Sequence, residues 1–120
     1  MHDLSNRSRG RWGESRAARH LRSLGFTVLD AGWRPPESEL RGDLDLVARR
    51  GDLVVVCEVK ARRDASRFGG AVAAVTPAKQ AQVRTLAESW LRQRRPGEVD
   101  VRFDVIAIDG VRLTHYEAAF

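Results

Sequence analysis

Two apolar runs meet near the middle of the chain: Leu44-Asp45-Leu46-Val47-Ala48, then Leu53-Val54-Val55-Val56-Cys57-Glu58-Val59. Arg49-Arg50-Gly51-Asp52 separates them. Each run is short, largely apolar and bounded by turn formers, which predicts a strand hairpin. Gly51-Asp52 suits a two-residue loop with glycine first, the type II′ pattern. That loop sets Arg50 against Leu53 and, counting outward, Asp45 against Glu58, with Cβ atoms about 5 Å apart. Lys60 lies two residues past Glu58 and so on the same face. A loop using all four turn residues would shift the pairing and leave a diagonal cluster, still on one face. The second run is apolar on both faces until Glu58, the pattern of a central strand.

Around this hairpin the chain alternates between helical and extended patterns. Over residues 8–24, Trp12, Ala17, Leu21 and Leu24 form an apolar stripe at helical spacing. Arg9, Arg16, Arg19 and Arg22 fall outside it, and Gly25 is a stop signal. Residues 26–30 read as a first strand that could continue to Trp33. Pro35-Pro36 make residues 34–39 a loop. Residues 62–70, basic and glycine-rich, read as a mobile surface loop that could embrace a phosphate backbone or simply connect. Thr76-Pro77 supplies N-cap and N1 signals for a second helix, with Val83, Leu86, Ala87, Trp90 and Leu91 as its apolar stripe. Arg95-Pro96-Gly97 ends it. Val99, Val101, Phe103 and Val105 then alternate as a strand through Ile108, Asp109-Gly110 turns, and residues 111–116 give a last short strand. The expected fold class is α/β: one domain over residues 1–120, with a mixed central sheet flanked by helices. Residues 1–10 read as a flexible tail.

At 120 residues, 42% hydrophobic and 31% charged, the chain is long enough to bury a core and too apolar to be disordered. No apolar run approaches the roughly 20 residues that span a bilayer, and the basic N-terminus is not followed by a signal-type segment. The single cysteine, Cys57, forms no internal disulfide and reads as a buried, inert thiol within a valine-rich strand. A cytoplasmic protein is expected. The net charge of +5 favours a polyanionic partner, nucleic acid first. Lys60 and Lys79 are the only lysines among 21 basic residues. On that arginine background Lys60 suggests a position that wants a compact ammonium. Lys79 falls in the first turn of the second helix, where the dipole disfavours a cation; ligand contact or chance accounts for it. His2, His20 and His115 lack metal-ligand spacing and read as surface residues. Asp104 reads as a cap, a partner of Arg102 or a solvent-facing residue.

The hairpin's charges carry the chemistry. A Glu58–Lys60 ion pair at the end of the sheet is the structural explanation, but it leaves Asp45 adding negative charge beside Glu58. Two carboxylates that close repel unless a proton or a cation lies between them. A divalent ion with oxygen ligands answers this: Mg²⁺ suits one or two carboxylates plus water and substrate phosphate, and Mn²⁺ can replace it. Glu14, near the start of the first helix, reads on its own as a solvated residue favoured by the dipole.

Asp45, a gap and Glu58-Val59-Lys60 resemble the PD-(D/E)xK signature of restriction-endonuclease-like nucleases. The surrounding text is more specific. Gly13-Glu14 with Ala17-Ala18 and Leu21, Gly25-Phe26, Gly42-Asp43-Leu44-Asp45-Leu46-Val47, Val56-Cys57-Glu58-Val59-Lys60-Ala61-Arg62 and Arg102-Phe103-Asp104-Val105-Ile106 together resemble the YraN-like family. These are small bacterial proteins predicted to be endonucleases and similar to archaeal Holliday junction resolvases. The resemblance covers nearly the whole chain and implies the restriction-endonuclease-like αβββαβ core. It further implies Asp45, Glu58 and the Val59 carbonyl as ligands of Mg²⁺ or Mn²⁺, Lys60 as the catalytic lysine, and Glu14 as a further acidic residue approaching the metal. The family usually has Gly-Glu where this chain has Gly42-Asp43, and the signature's proline is replaced by Leu44; neither change removes the triad.

A metal-dependent endonuclease cutting branched or structured DNA is therefore the leading expectation, with Arg62, Arg63, Arg67 and Lys79 as nucleic-acid contacts. DNA stands ahead of RNA as partner, no membrane is implied, and cutting both strands of a branch would ask for a two-fold dimer. Trp12, Trp33 and Phe68 are the guesses for its interface. Two other readings stay open: a nucleic-acid-binding module with weak or no catalysis, and an interaction protein whose basic face meets an acidic protein.

Overall fold

The computed structural model describes residues 2–62 and 75–120. Helix α1 (His2–Ser23) leads into strand β1 (Thr27–Trp33), the hairpin β2 (Leu44–Arg50) and β3 (Leu53–Arg62), helix α2 (Pro77–Arg94), and strands β4 (Asp100–Asp109) and β5 (Arg112–Tyr116). The five strands form one sheet in the order β1-β2-β3-β4-β5. Only β3 and β4 run parallel, from Leu53 opposite Asp100 to Arg62 opposite Asp109; the other pairs are antiparallel. The α-β-β-β-α-β order with a fifth strand is the expected α/β class, consistent with a restriction-endonuclease-like core. β3 takes the central place its two-sided apolar pattern requires.

The hairpin register is the expected one. Arg50 faces Leu53 and Leu46 faces Cys57, with Gly51 at φ 59° in the loop. Alternation then sorts β2 and β3 by face. Leu46, Ala48, Val55 and Cys57 pack against Ala17, Ala18 and Leu21 of α1, joined by Phe26, Ile106 and Ile108. Val47, Val54 and Val56 pack against Val83, Leu86, Ala87 and Trp90 of α2. Each fully buried Leu, Ile or Val contributes about 1.5–3 kcal/mol, so the two layers hold the hairpin from both sides.

Local signals account for the helix ends. Thr76 caps α2, its hydroxyl accepting from the Lys79 N–H, and Pro77 follows at the first helical position. Arg95 closes α2 in the left-handed conformation. The helical backbone of α1 reaches back to His2. A bulge between Val28 and Asp30 shifts the alternation of β1, so that Val28 faces Ala48 and Ala31 faces Leu46. Asp30 consequently turns toward α2, where its carboxylate accepts from Trp90 Nε1 at 2.7 Å and pairs with Arg94 at 2.8 Å.

Two surface assignments are corrected. His115 is nearly buried, with 9% of its side chain exposed. Its Nε2 lies 2.7 Å from Asp104 Oδ2, and its Nδ1 lies 3.0 Å from Nε2 of half-buried His20. Asp104 is fully buried and gripped by Arg102, which donates from Nε and Nη2 at 2.9 Å each. Trp33 is half-buried against the α2-side core, so it offers little free surface, whereas Trp12 is 46% exposed. Phe68 lies outside the described residues.

Candidate active site

The last backbone-paired rung of the hairpin before the charged end is Leu46–Cys57. Beyond it, the Val59 N–H donates to Asp45 Oδ2 at 2.9 Å, so a carboxylate holds that backbone donor. This bond fixes the Asp45 side chain against β3 beside Glu58. Glu58 itself is only 2% exposed, an unusual place for a carboxylate. Its nearest cation among the described residues is Lys79, whose Nζ lies 4.0 Å from Oε2. The cation that looked out of place in the first turn of α2 thus points at the acidic cluster. Its position relative to Glu58 explains what the helix dipole does not.

The electrostatics follow from this crowding. Burial pushes the Glu58 carboxyl up from an ordinary 4.5 to about 7, with the Asp45 charge adding to the effect and Lys79 and Lys60 opposing it. Asp45 is also raised, first by burial, despite the Val59 N–H that favours its charged form, and Asp43 adds to the rise. Glu14 reaches the same field from α1: partial burial raises it, then the charges of Asp45 and Asp43. Asp43, just ahead of β2, therefore belongs to the electrostatic cluster. The close approach of α1 comes from Gly13, where an added Cβ would stand 2.8 Å from Cβ of Ala61.

The structure thus brings together Glu14, Asp45, Glu58, Lys60 and Lys79, with Asp43 beside them. Among the described residues, no three His, Cys, Asp or Glu side chains already converge as a ready-made metal cage. The donor set is instead two neighbouring carboxylates on a hairpin end whose backbone includes Val59. That matches Mg²⁺, which takes one or two carboxylates and completes its shell with water and phosphate oxygens. Arg62 ends β3; Arg63 and Arg67 lie outside the described residues. Cys57 is buried beneath the site, and burial, with the neighbouring Asp104 charge, pushes its thiol well up, as an inert residue requires.

Sequence reasoning missed the His20–His115–Asp104 contact. Arg102 and Asp104 share a face by strand alternation and were legible as a pair. His115 could be added only by knowing which strand lies next to β4, and His20 only by knowing where α1 packs. Among the described residues, no helix is long and apolar enough to cross a membrane.

Comparison with known proteins agrees with the motifs. The model of the uncharacterised protein family UPF0102 matches residues 13–108, the stretch from the close-packed Gly13 to the end of the β4 core. A UPF0102 protein from Acidothermus cellulolyticus is 43% identical, covering 92% of both chains. One from Frankia casuarinae is 42% identical over 92% of this chain and 94% of its own. One from Ralstonia nicotianae is 47% identical over 92% of this chain and 85% of its own. The chain belongs to the uncharacterised protein family UPF0102, the YraN-like family that its motifs resemble.

Proposed function

We propose that this protein is a metal-dependent endonuclease that hydrolyses phosphodiester bonds in branched or structured DNA within the cytoplasm. The observation that supports this most is Glu58: a carboxylate buried to 2% exposure beside Asp45, with a lysine no nearer than 4.0 Å. A fold gains little from two such acids side by side, and burying charge without close pairing is costly. A divalent cation and an incoming phosphate are what the pair is suited to receive.

Asp45 and Glu58 would hold Mg²⁺ or Mn²⁺ together with the Val59 carbonyl; when bound, the ion supplies Lewis acidity at a phosphoryl oxygen and acidifies a water. The remaining work falls to the chain. Asp45 is held in place by the Val59 N–H, so its orientation does not depend on the substrate. Lys60, on the same face two residues from Glu58, orients the attacking water and offsets the negative charge that grows on the phosphoryl oxygens. Lys79 stands on the α2 side of the carboxylates and favours their ionised forms, which is the state a cation requires. Glu14 approaches from α1 and is placed to accept a proton from a water at the edge of the cluster.

The test is cleavage of a labelled panel of duplex, single strand, flap and four-way junction with Mg²⁺, Mn²⁺ or chelator. Cutting should require the ion and fall by at least about a hundredfold in Lys60→Ala and in Asp45→Ala, the scale of losing one charge-stabilising group. Equal junction binding by wild type and both variants, with no cutting by any, would replace this reading with a binding module that has lost catalysis.

A further inference from the structure

Beside Glu14, between α1 and the β1–β2 edge, lies a cavity of about 520 Å³. Its floor is Ala18, Val28, Ala31 and Leu46, and Arg19 and Arg22 stand exposed on its rim. The sequence explains why it is there. The bulge after Val28 turns both Val28 and Ala31 toward α1, and small residues at positions 18, 31 and 32 leave the space between helix and sheet unfilled. The two rim arginines are about one turn apart on α1, and Glu14 lies about a turn and a half before Arg19 on the same helix. Glu14 lines the cavity and links it to the carboxylate cluster; apart from Glu14 and Ser15 the interior is apolar, and the mouth is cationic.

We propose that this cavity receives one unpaired nucleoside adjoining the cleaved phosphate. The proposal rests on the nuclease reading and specifies its substrate. An apolar slot accepts the face of any base, the volume lies within the roughly 300–1,000 Å³ of small-molecule pockets, and the two guanidiniums match phosphates on either side of an extruded residue. A base stacked inside a continuous duplex cannot enter. The protein accordingly selects nucleic acid in which a nucleotide beside the cut is already unstacked, as at a flap or the crossing point of a branch, where extrusion costs least.

The experiment uses the full chain carrying Lys60→Ala, so that substrate stays intact with Mg²⁺ present. Binding of a labelled oligothymidylate and of a blunt duplex is compared with and without Ala31→Trp. Ala31 is exposed, so the indole fills the cavity without entering the core. The expected result is an affinity for oligothymidylate lowered about tenfold and a duplex affinity changed less than about twofold, the effect of losing one stacked base. Ala31→Leu, with circular dichroism, provides a gentler filler in case the larger one perturbs folding. Arg19→Ser should also weaken oligothymidylate more than duplex. Oligothymidylate binding unchanged by either filler, or duplex weakened equally, overturns the cavity assignment and leaves the nuclease reading standing. Failure of the Lys60→Ala chain to bind either nucleic acid overturns both.

Discussion

Glu58 keeps its proton to about pH 7 because the folded chain encloses it beside Asp45, whereas an exposed glutamate releases it near 4.5. Between those values the folded state binds a proton that the unfolded state has lost, so stability falls as pH rises from 4.5 through 7. At pH 8 with chelator, Glu58→Gln should therefore be more stable than the wild type, by on the order of 1–3 kcal/mol, and at pH 4 the two should converge. Urea unfolding at the two pH values measures this; a variant less stable at pH 8 would show that Glu58 stabilises the apo fold. If the pair holds Mg²⁺ as proposed, the ion should raise the melting temperature of the wild type and raise that of Glu58→Gln less, since a ligand that prefers the folded state stabilises it. At this scale the sequence was informative. Asp45, Glu58 and Lys60 could be placed on one face because strand alternation depends only on counting. The 4.0 Å approach of Lys79 to Glu58 could not, since it depends on how α2 lies across the sheet.

Among the elements, the contact between α1 and β3 sets the distance from Glu14 to the hairpin. Gly13 makes that contact possible, and an alanine there would drive two Cβ atoms to 2.8 Å, with neither able to rotate away. Alanine favours a helix over glycine by about 1 kcal/mol, yet overpacking costs about 1–3 kcal/mol, so the clash should prevail. Gly13→Ala is expected to lower stability and to reduce cleavage by moving Glu14 outward; a net rise in urea midpoint would show that α1 can shift freely. Element boundaries were mostly legible because the signals are chemical: Thr76 and Pro77 open α2, and Gly51-Asp52 fixes the register of β2 on β3. The bulge in β1 was not legible. Nothing in Thr27-Val28-Leu29-Asp30 marks an extra residue; it follows from Asp30 meeting Trp90 and Arg94 on one face while Ala31 meets Leu46 on the other.

Across the whole molecule, α1 is tied to the far edge of the sheet by polar contacts as well as by its apolar stripe. Arg16 donates to the carbonyls of Gly110, at 3.3 Å, and Val111, and His20 meets His115, 95 positions away. Burial would raise Asp104, yet the bonds from Arg102, His115 and the Ala118 N–H together hold it below its usual 3.8. A carboxylate so held accepts from His115 Nε2, which leaves His115 Nδ1 to accept from His20. His20 is lowered from 6.5, first by burial and then by its neighbour His115. The unfolded chain takes up that proton before the folded one, so its contribution is present above pH 6.5 and lost as pH falls through the lowered folded value. Glu58 gains stability over pH 7 to 5 while His20 loses it, so the test is a difference: acidification from pH 7 to 5 should raise the melting temperature of His20→Gln relative to the wild type, and an unchanged difference would place the transition elsewhere. Such pairings escape sequence reading because they join residues from opposite ends of the chain. The ten-residue parallel match of β3 with β4 has a consequence during synthesis. The hairpin leaves the ribosome first, with the valine-rich edge of β3 open until α2 and residues 100–109 have followed. A nascent chain therefore displays a sticky strand early, and the sheet that carries the carboxylate cluster is complete only once β4 has closed that edge.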